Sequence, residues 1–196
     1  MEPLSKPTWW GWVVALLLVA LRTCCAQGAS VPEAAFVSAD RYTNAFFGFS
    51  LPLPSEPDYH IGQVSERGQL HHLFALGHDK EHTALVLSAR QMFWRDAEQL
   101  VKQYPQYRIL IDGREFSKMN SRQKEHDGTL WKAQYLTAID SYVLALEIQS
   151  LDPRITKNLE RRCVEKIKFF DPAKAKEIAG PNASPYNPAP SGPPKH

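Results

Sequence analysis

His71, His72, His78 and His82 fall within twelve residues, and imidazole side chains at that density suit zinc or copper binding. The spacing argues against a ready-made site. A His-x-x-x-His pair ligates when a helix turns both rings to one face, whereas Gly77-His78-Asp79-Lys80-Glu81-His82 reads as a polar hairpin loop. His71 and His72 are strand neighbours and point to opposite faces. His71, His78 and His82 are the candidate metal ligands, with solvated histidines the simpler reading, and no cofactor is expected.

Nucleophilic chemistry has less to stand on. Ser50 in Gly48-Phe49-Ser50-Leu51 lacks the second glycine of a Gly-x-Ser-x-Gly elbow. No Gly-rich phosphate loop is present. Carboxylates are scattered, and Glu125 and Asp127 flank a turn, where they are most simply solubilising. Cys163 sits with Ile155, Leu159 and Ile167 at a four-residue spacing, which makes it a small apolar side chain on a buried helical stripe. No catalytic residue is named, and a non-enzyme is expected. The run Arg114, Glu115, Lys118, Arg122, Lys124 and Glu125 reads as a solvated hairpin surface before it reads as a partner face.

The elements that position these residues begin after an export-type segment. Lys6 precedes the apolar run from Trp9 to Leu21, and either Cys24-Cys25-Ala26 or Ala26-Gln27-Gly28 supplies a small-x-small cleavage pattern. Thirteen apolar residues rise about 20 Å as a helix, short of the roughly 30 Å hydrocarbon core. Residues 1–26 are therefore expected to be a signal peptide, with an uncleaved anchor over residues 9–21 as the alternative. Lipidation at Cys24 or Cys25 is disfavoured, because the preceding residues match a lipobox poorly. The protein is expected to be exported, periplasmic or extracellular, touching a membrane only through that N-terminal segment.

Removal of that segment leaves 170 residues with 21 Lys+Arg against 20 Asp+Glu, enough chain for one hydrophobic core. A near-neutral balance offers no field to attract nucleic acid. Cys163 is then the only cysteine, so no internal disulfide stabilises the domain.

Residues 27–40 read as a spacer and residues 172–196, with six prolines after Ala179, as a Pro-rich disordered tail. Between them, strands are expected over 42–53, 69–76, 83–89 and 108–116, and a helix over 94–104 that stops before Pro105. Asp127-Gly128 and Asp140-Ser141 mark tight hairpin turns. The strand 142–148 is apolar on nearly both faces and belongs at a sheet centre. Asp152-Pro153 then opens a helix over 153–168 as N-cap and first-turn proline. Strands and hairpins with two separated helices predict an α+β fold, a mainly antiparallel sheet flanked by helices.

Tyr42-Thr43-Asn44-Ala45-Phe46-Phe47-Gly48-Phe49-Ser50-Leu51-Pro52-Leu53-Pro54 resembles the opening motif of bacterial PsbP-like proteins. Gly113-Arg114-Glu115-Phe116 and the stretch from Trp131 to Phe170 are similar to later parts of that family. The resemblance covers about residues 41–171. It departs after Pro54, where Ser55-Glu56-Pro57-Asp58-Tyr59 stands in place of the usual Gly and Trp. It implies an α/β/α sandwich of the PsbP/Mog type, whose relatives bind other proteins rather than catalyse. The expectation is a non-catalytic binding or assembly module whose partner is another extracytoplasmic protein, the alternative being a metal-binding protein using the His71–His82 region.

Overall fold

The computed structural model describes residues 31–62, 70–78, 82–103 and 107–186. Its first elements are three short antiparallel strands, β1 (Ala35–Val37), β2 (Arg41–Asn44) and β3 (Phe49–Pro52). The aromatic-glycine motif is the link between β2 and β3. Fully buried Asn44 organises it: Oδ1 accepts from the Phe46 and Phe47 amides at 3.0 and 2.7 Å, while Nδ2 donates to Pro32 O at 2.8 Å. Gly48 has φ +64°, and a Cβ there would stand 2.2 Å from the Phe170 carbonyl oxygen. Only glycine fits that approach.

The larger unit is a seven-stranded antiparallel sheet in the order β4-β5-β6-β10-β9-β8-β7. Its strands are β4 (His60–Ile61), β5 (Leu70–His78), β6 (Thr83–Gln91), β7 (Tyr107–Ile111), β8 (Arg114–Glu125), β9 (Gly128–Ile139) and β10 (Tyr142–Ser150). Two-residue turns set the register. Asp112 and Gly113 both have positive φ between β7 and β8, as a primed turn requires, and Asp140 at φ +51° opens the β9–β10 turn. The loop between β8 and β9 is His126-Asp127, one residue earlier than expected, because Gly128 already pairs with Glu125.

β10 lies fourth of seven, so both its edges are paired, and both its faces are covered. On one face Leu144, Leu146 and Ile148 join Tyr42, Phe49, Leu51, Phe74 and Leu159 in the main core. On the other, Val143 and Leu136 pack against Ala97 and Val101 of α1 (Trp94–Gln103). The main-core face is shared by α2 (Pro153–Arg162) and the small sheet, whose Tyr42 donates its hydroxyl to Leu73 O at 3.2 Å. Helix α1, the large sheet, and α2 with the small sheet thus make three layers. The α+β antiparallel architecture predicted from the sequence is the one observed.

Several boundaries differ from the expectation. The strand 42–53 is two strands, since Gly48 reverses the chain between them. The helix from Pro153 ends at Arg162, capped at its start by Asp152 Oδ1, which accepts from the Arg154 amide at 2.8 Å. A 3₁₀ turn over Val164–Lys166 follows, and β11 (Lys168–Phe169) becomes extended to pair with β3. Cys163 and Ile167 stay buried in the main core across this change. The supposed spacer 27–40 contains β1, and the supposed disordered tail 172–196 contains α3 (Ala175–Ala179) and β12 (Ser184–Tyr186). The small sheet runs β11-β3-β2-β1-β12. Tyr186 explains why β12 holds: it packs edge-on against Tyr42 and Phe74, at 6.1 and 5.7 Å between centroids. The signal segment 1–26, residues 27–30 and the tail from 187 lie outside the described residues.

Candidate functional site

Strand β5 carries two of the three candidate histidines, and a bulge decides which way they face. The pairing with β6 shifts between His72 and Phe74, leaving Leu73 as the extra residue. His71 pairs with Ala89 and His72 with Ser88, so the two rings point to opposite faces as expected. The extra residue also puts His71 and His78 on the same face, which their odd sequence separation alone would not allow. Their β6 partners are Ala89 and Thr83, a spacing of about 20 Å at roughly 3.3 Å per residue. One metal ion cannot bridge it.

Each histidine has its own carboxylate instead. His71 Nδ1 is 2.6 Å from Glu33 Oε1, His78 Nε2 is 3.8 Å from Asp58 Oδ2, and His82 Nε2 is 3.9 Å from Asp127 Oδ2. His78 also meets the Tyr59 ring edge-on at 5.2 Å. Among the described residues no group of three His, Cys, Asp or Glu is placed to hold a metal ion. Among the described residues, His71, His78 and His82 do not form the shared ligand set that the metal-binding alternative requires.

The Glu33–His71 pair is the shortest of the three. Glu33 is held by the turn that Asn44 pins through Pro32 O. The His71 ring lies 5.9 Å from the Tyr142 ring, which in turn packs edge-on against Phe46 and Phe47 at 5.6 and 5.3 Å. Residues of the aromatic-glycine motif therefore buttress His71 from two sides. With Nδ1–H donated to the carboxylate, Nε2 is the ring nitrogen left for a partner.

His71 lines a cleft of about 590 Å³ at the end of the large sheet, together with Arg90, Gln91, Met92, Phe93, Asp96 and Ser141. Five segments meet there: the start of β5, the end of β6, the link into α1, the first turn of α1, and the β9–β10 turn. The link is fixed by backbone hydrogen bonds, Met92 N to Ser141 O at 2.7 Å and Ala97 N to Phe93 O at 3.0 Å. Phe93 nevertheless leaves 83% of its surface in solvent. The cleft offers a cation at Arg90, an anion at Asp96, an imidazole, and an apolar rim of Met92 and Phe93. Ser141 makes no hydrogen bond to His71 among the described residues, so the dyad orients an imidazole without an attached nucleophile.

Cys163 lies outside this site. It is 1% exposed, and burial pushes its thiol up to about 11, with the neighbouring Arg162 partly opposing the shift. A thiol so placed is packing material. Sequence reasoning named His71 but missed Glu33, Arg90, Phe93 and Asp96. The one available signal was Met92-Phe93 ahead of a helix start, two large apolar residues where a polar link is usual.

No family model matches the chain, and no curated protein matches it. Among solved structures it is similar to a crystal structure from Bacteroides thetaiotaomicron VPI-5482, with 12% identity over 71% of this chain and a TM-score of 0.47. The match spans 49% of that protein's chain, so this protein covers about half its length. It is similar as well to the solution structure of cyanobacterial PsbP (CyanoP) from Synechocystis sp. PCC 6803, at 10% identity over 72% of this chain and 96% of that one, TM-score 0.47. PsbP is the family that the Tyr42–Pro54 motif resembles.

Proposed function

We propose that the protein is an exported, non-catalytic binding or assembly module of PsbP-like type, which engages another extracytoplasmic protein through the cleft at the end of its large sheet. The observation that carries this reading is Phe93, 83% exposed at the rim of a cleft that also presents Met92 and Arg90. Aromatic residues, methionine and arginine are the side chains enriched in interface cores and hot spots. An isolated exposed apolar residue is ordinary; one at the mouth of a preformed cleft, on a link held by backbone hydrogen bonds, is a rigid anchor. The apolar N-terminal run supports export, and retention of residues 9–21 would tether the module to the membrane.

Replacing Phe93 with serine removes the anchor from a position with little packing to lose. Quantitative capture from native cells should recover one dominant extracytoplasmic partner with the wild-type protein and at least about tenfold less with Phe93→Ser, the expected loss of a hot-spot residue. Equal recovery by both proteins would place the interface elsewhere. Reproducible turnover by the purified mature domain would contradict the non-catalytic part.

A further inference from the structure

On the opposite side of the large sheet from α1, the long β8–β9 hairpin and α2 line a second, open cavity of about 340 Å³. Register pairs Asn120 with Ala133 and Arg122 with Trp131, on the face that also carries Lys118 beside Tyr135. Across from them Thr156 and Glu160 of α2 share one helix face at i, i+4 and line the same cavity. The small Ala133 lies at the floor.

The polar groups are arranged from the inside outwards. Lys118 Nζ donates to Glu160 Oε1 at 2.9 Å, the two side chains being 19% and 12% exposed, and stands 5.2 Å from the centroid of the Tyr135 ring. The carboxylate is thereby neutralised while keeping acceptor capacity. Thr156 is 8% exposed, and its hydroxyl has no hydrogen-bond partner among the described residues. A buried hydroxyl in that state is unfavourable, and a ligand hydroxyl bonding to it removes the penalty. At the mouth the Arg122 guanidinium lies over the Trp131 ring, 5.9 Å from its centroid, and makes no ion pair among the described residues.

We propose that this cavity binds an acidic saccharide, a pyranose bearing a carboxylate such as a uronic acid. The apolar face of a pyranose needs an aromatic surface, which the part of the half-buried Trp131 ring not covered by Arg122 supplies. Its hydroxyls need short donors and acceptors of both kinds, which Thr156 and Glu160 supply. Its carboxylate needs a planar cation, and Arg122, stacked over Trp131 but without an ion pair among the described residues, is that group. The volume lies in the range of small-ligand sites. This site shares no residue with the Phe93 cleft, so the two proposals stand or fall separately.

Glucuronate, galacturonate and their neutral counterparts glucose and galactose are titrated into the purified protein, with binding read by calorimetry and by the indole N–H resonance of Trp131. At least one uronate should bind and shift that resonance. Its neutral counterpart and the Arg122→Gln variant should each show affinity weaker by about tenfold or more, the loss of one charge-assisted contact. Arg122 is exposed, so the variant is expected to fold, and an unchanged amide spectrum away from the cavity verifies it. Absence of binding by both uronates overturns the proposal. Equal affinity for glucose and glucuronate, or uronate binding that Arg122→Gln leaves intact, overturns the carboxylate assignment.

Discussion

Asp112 joins the two sheets through one side chain. It sits at φ +49° in the β7–β8 turn, and its carboxylate accepts from Lys168 Nζ at 2.7 Å and the Phe169 amide at 2.8 Å, both in the small sheet. The Lys168 hydrogen bond first, then the Phe169 amide, holds the Asp112 carboxyl below the usual carboxylate range. A carboxyl whose folded pKa is lowered contributes stability in full above its unfolded value, and that contribution is lost as pH falls through the folded value. Asparagine tolerates positive φ, so Asp112→Asn removes the charge and keeps the turn. The variant should be less stable than wild type at pH 7 by a few tenths to about 1 kcal/mol, an exposed ion pair being heavily screened. Urea midpoints at pH 7 and near pH 2.5 test this: the difference should shrink in acid. An undiminished difference at both pH values would mean that the side chain acts through the turn alone.

Among the elements, those with their own local signal were legible. Asp140-Ser141 announced a turn, Asp152-Pro153 announced a helix start, and β10 announced its central place by being apolar on both faces. What escaped were elements defined by partners. Ala35–Val37 is too short for a period, and Ser184-Pro185-Tyr186 contains a proline that argues against a strand. β12 tolerates it because it is an edge strand. The β5 bulge, which sets the facing of His71 and His78, has no signature in Leu70–His78. A consequence belongs to this scale. A chain ended after Pro181 loses β12 and with it the Tyr186 contacts to Tyr42 and Phe74, and should be destabilised by about 1–3 kcal/mol. A chain ended after Tyr186 should melt with the full-length protein. If both truncations melt alike, β12 contributes nothing to the fold.

At the scale of the whole molecule, the cleft is a product of convergence. Glu33, His71, the stretch from Arg90 to Asp96, and Ser141 come from separate parts of the chain, and no spacing announces that those parts meet. The three-layer arrangement brings them together: one face of the large sheet buries the aromatic motif that buttresses His71, while α1 on the other face fixes the link carrying Phe93. The fold sets His71 apart from His78, and the His71–Glu33 pair joins the cleft. The most direct test of the central claim is site-specific photo-cross-linking in native cells, with the reactive group at position 93 and, as reference, at position 154, where the side chain is 90% exposed on α2. Position 93 should yield one strong adduct with an extracytoplasmic protein that position 154 does not. No adduct from position 93, or the same adducts from both positions, would contradict the reading of the cleft as the docking site.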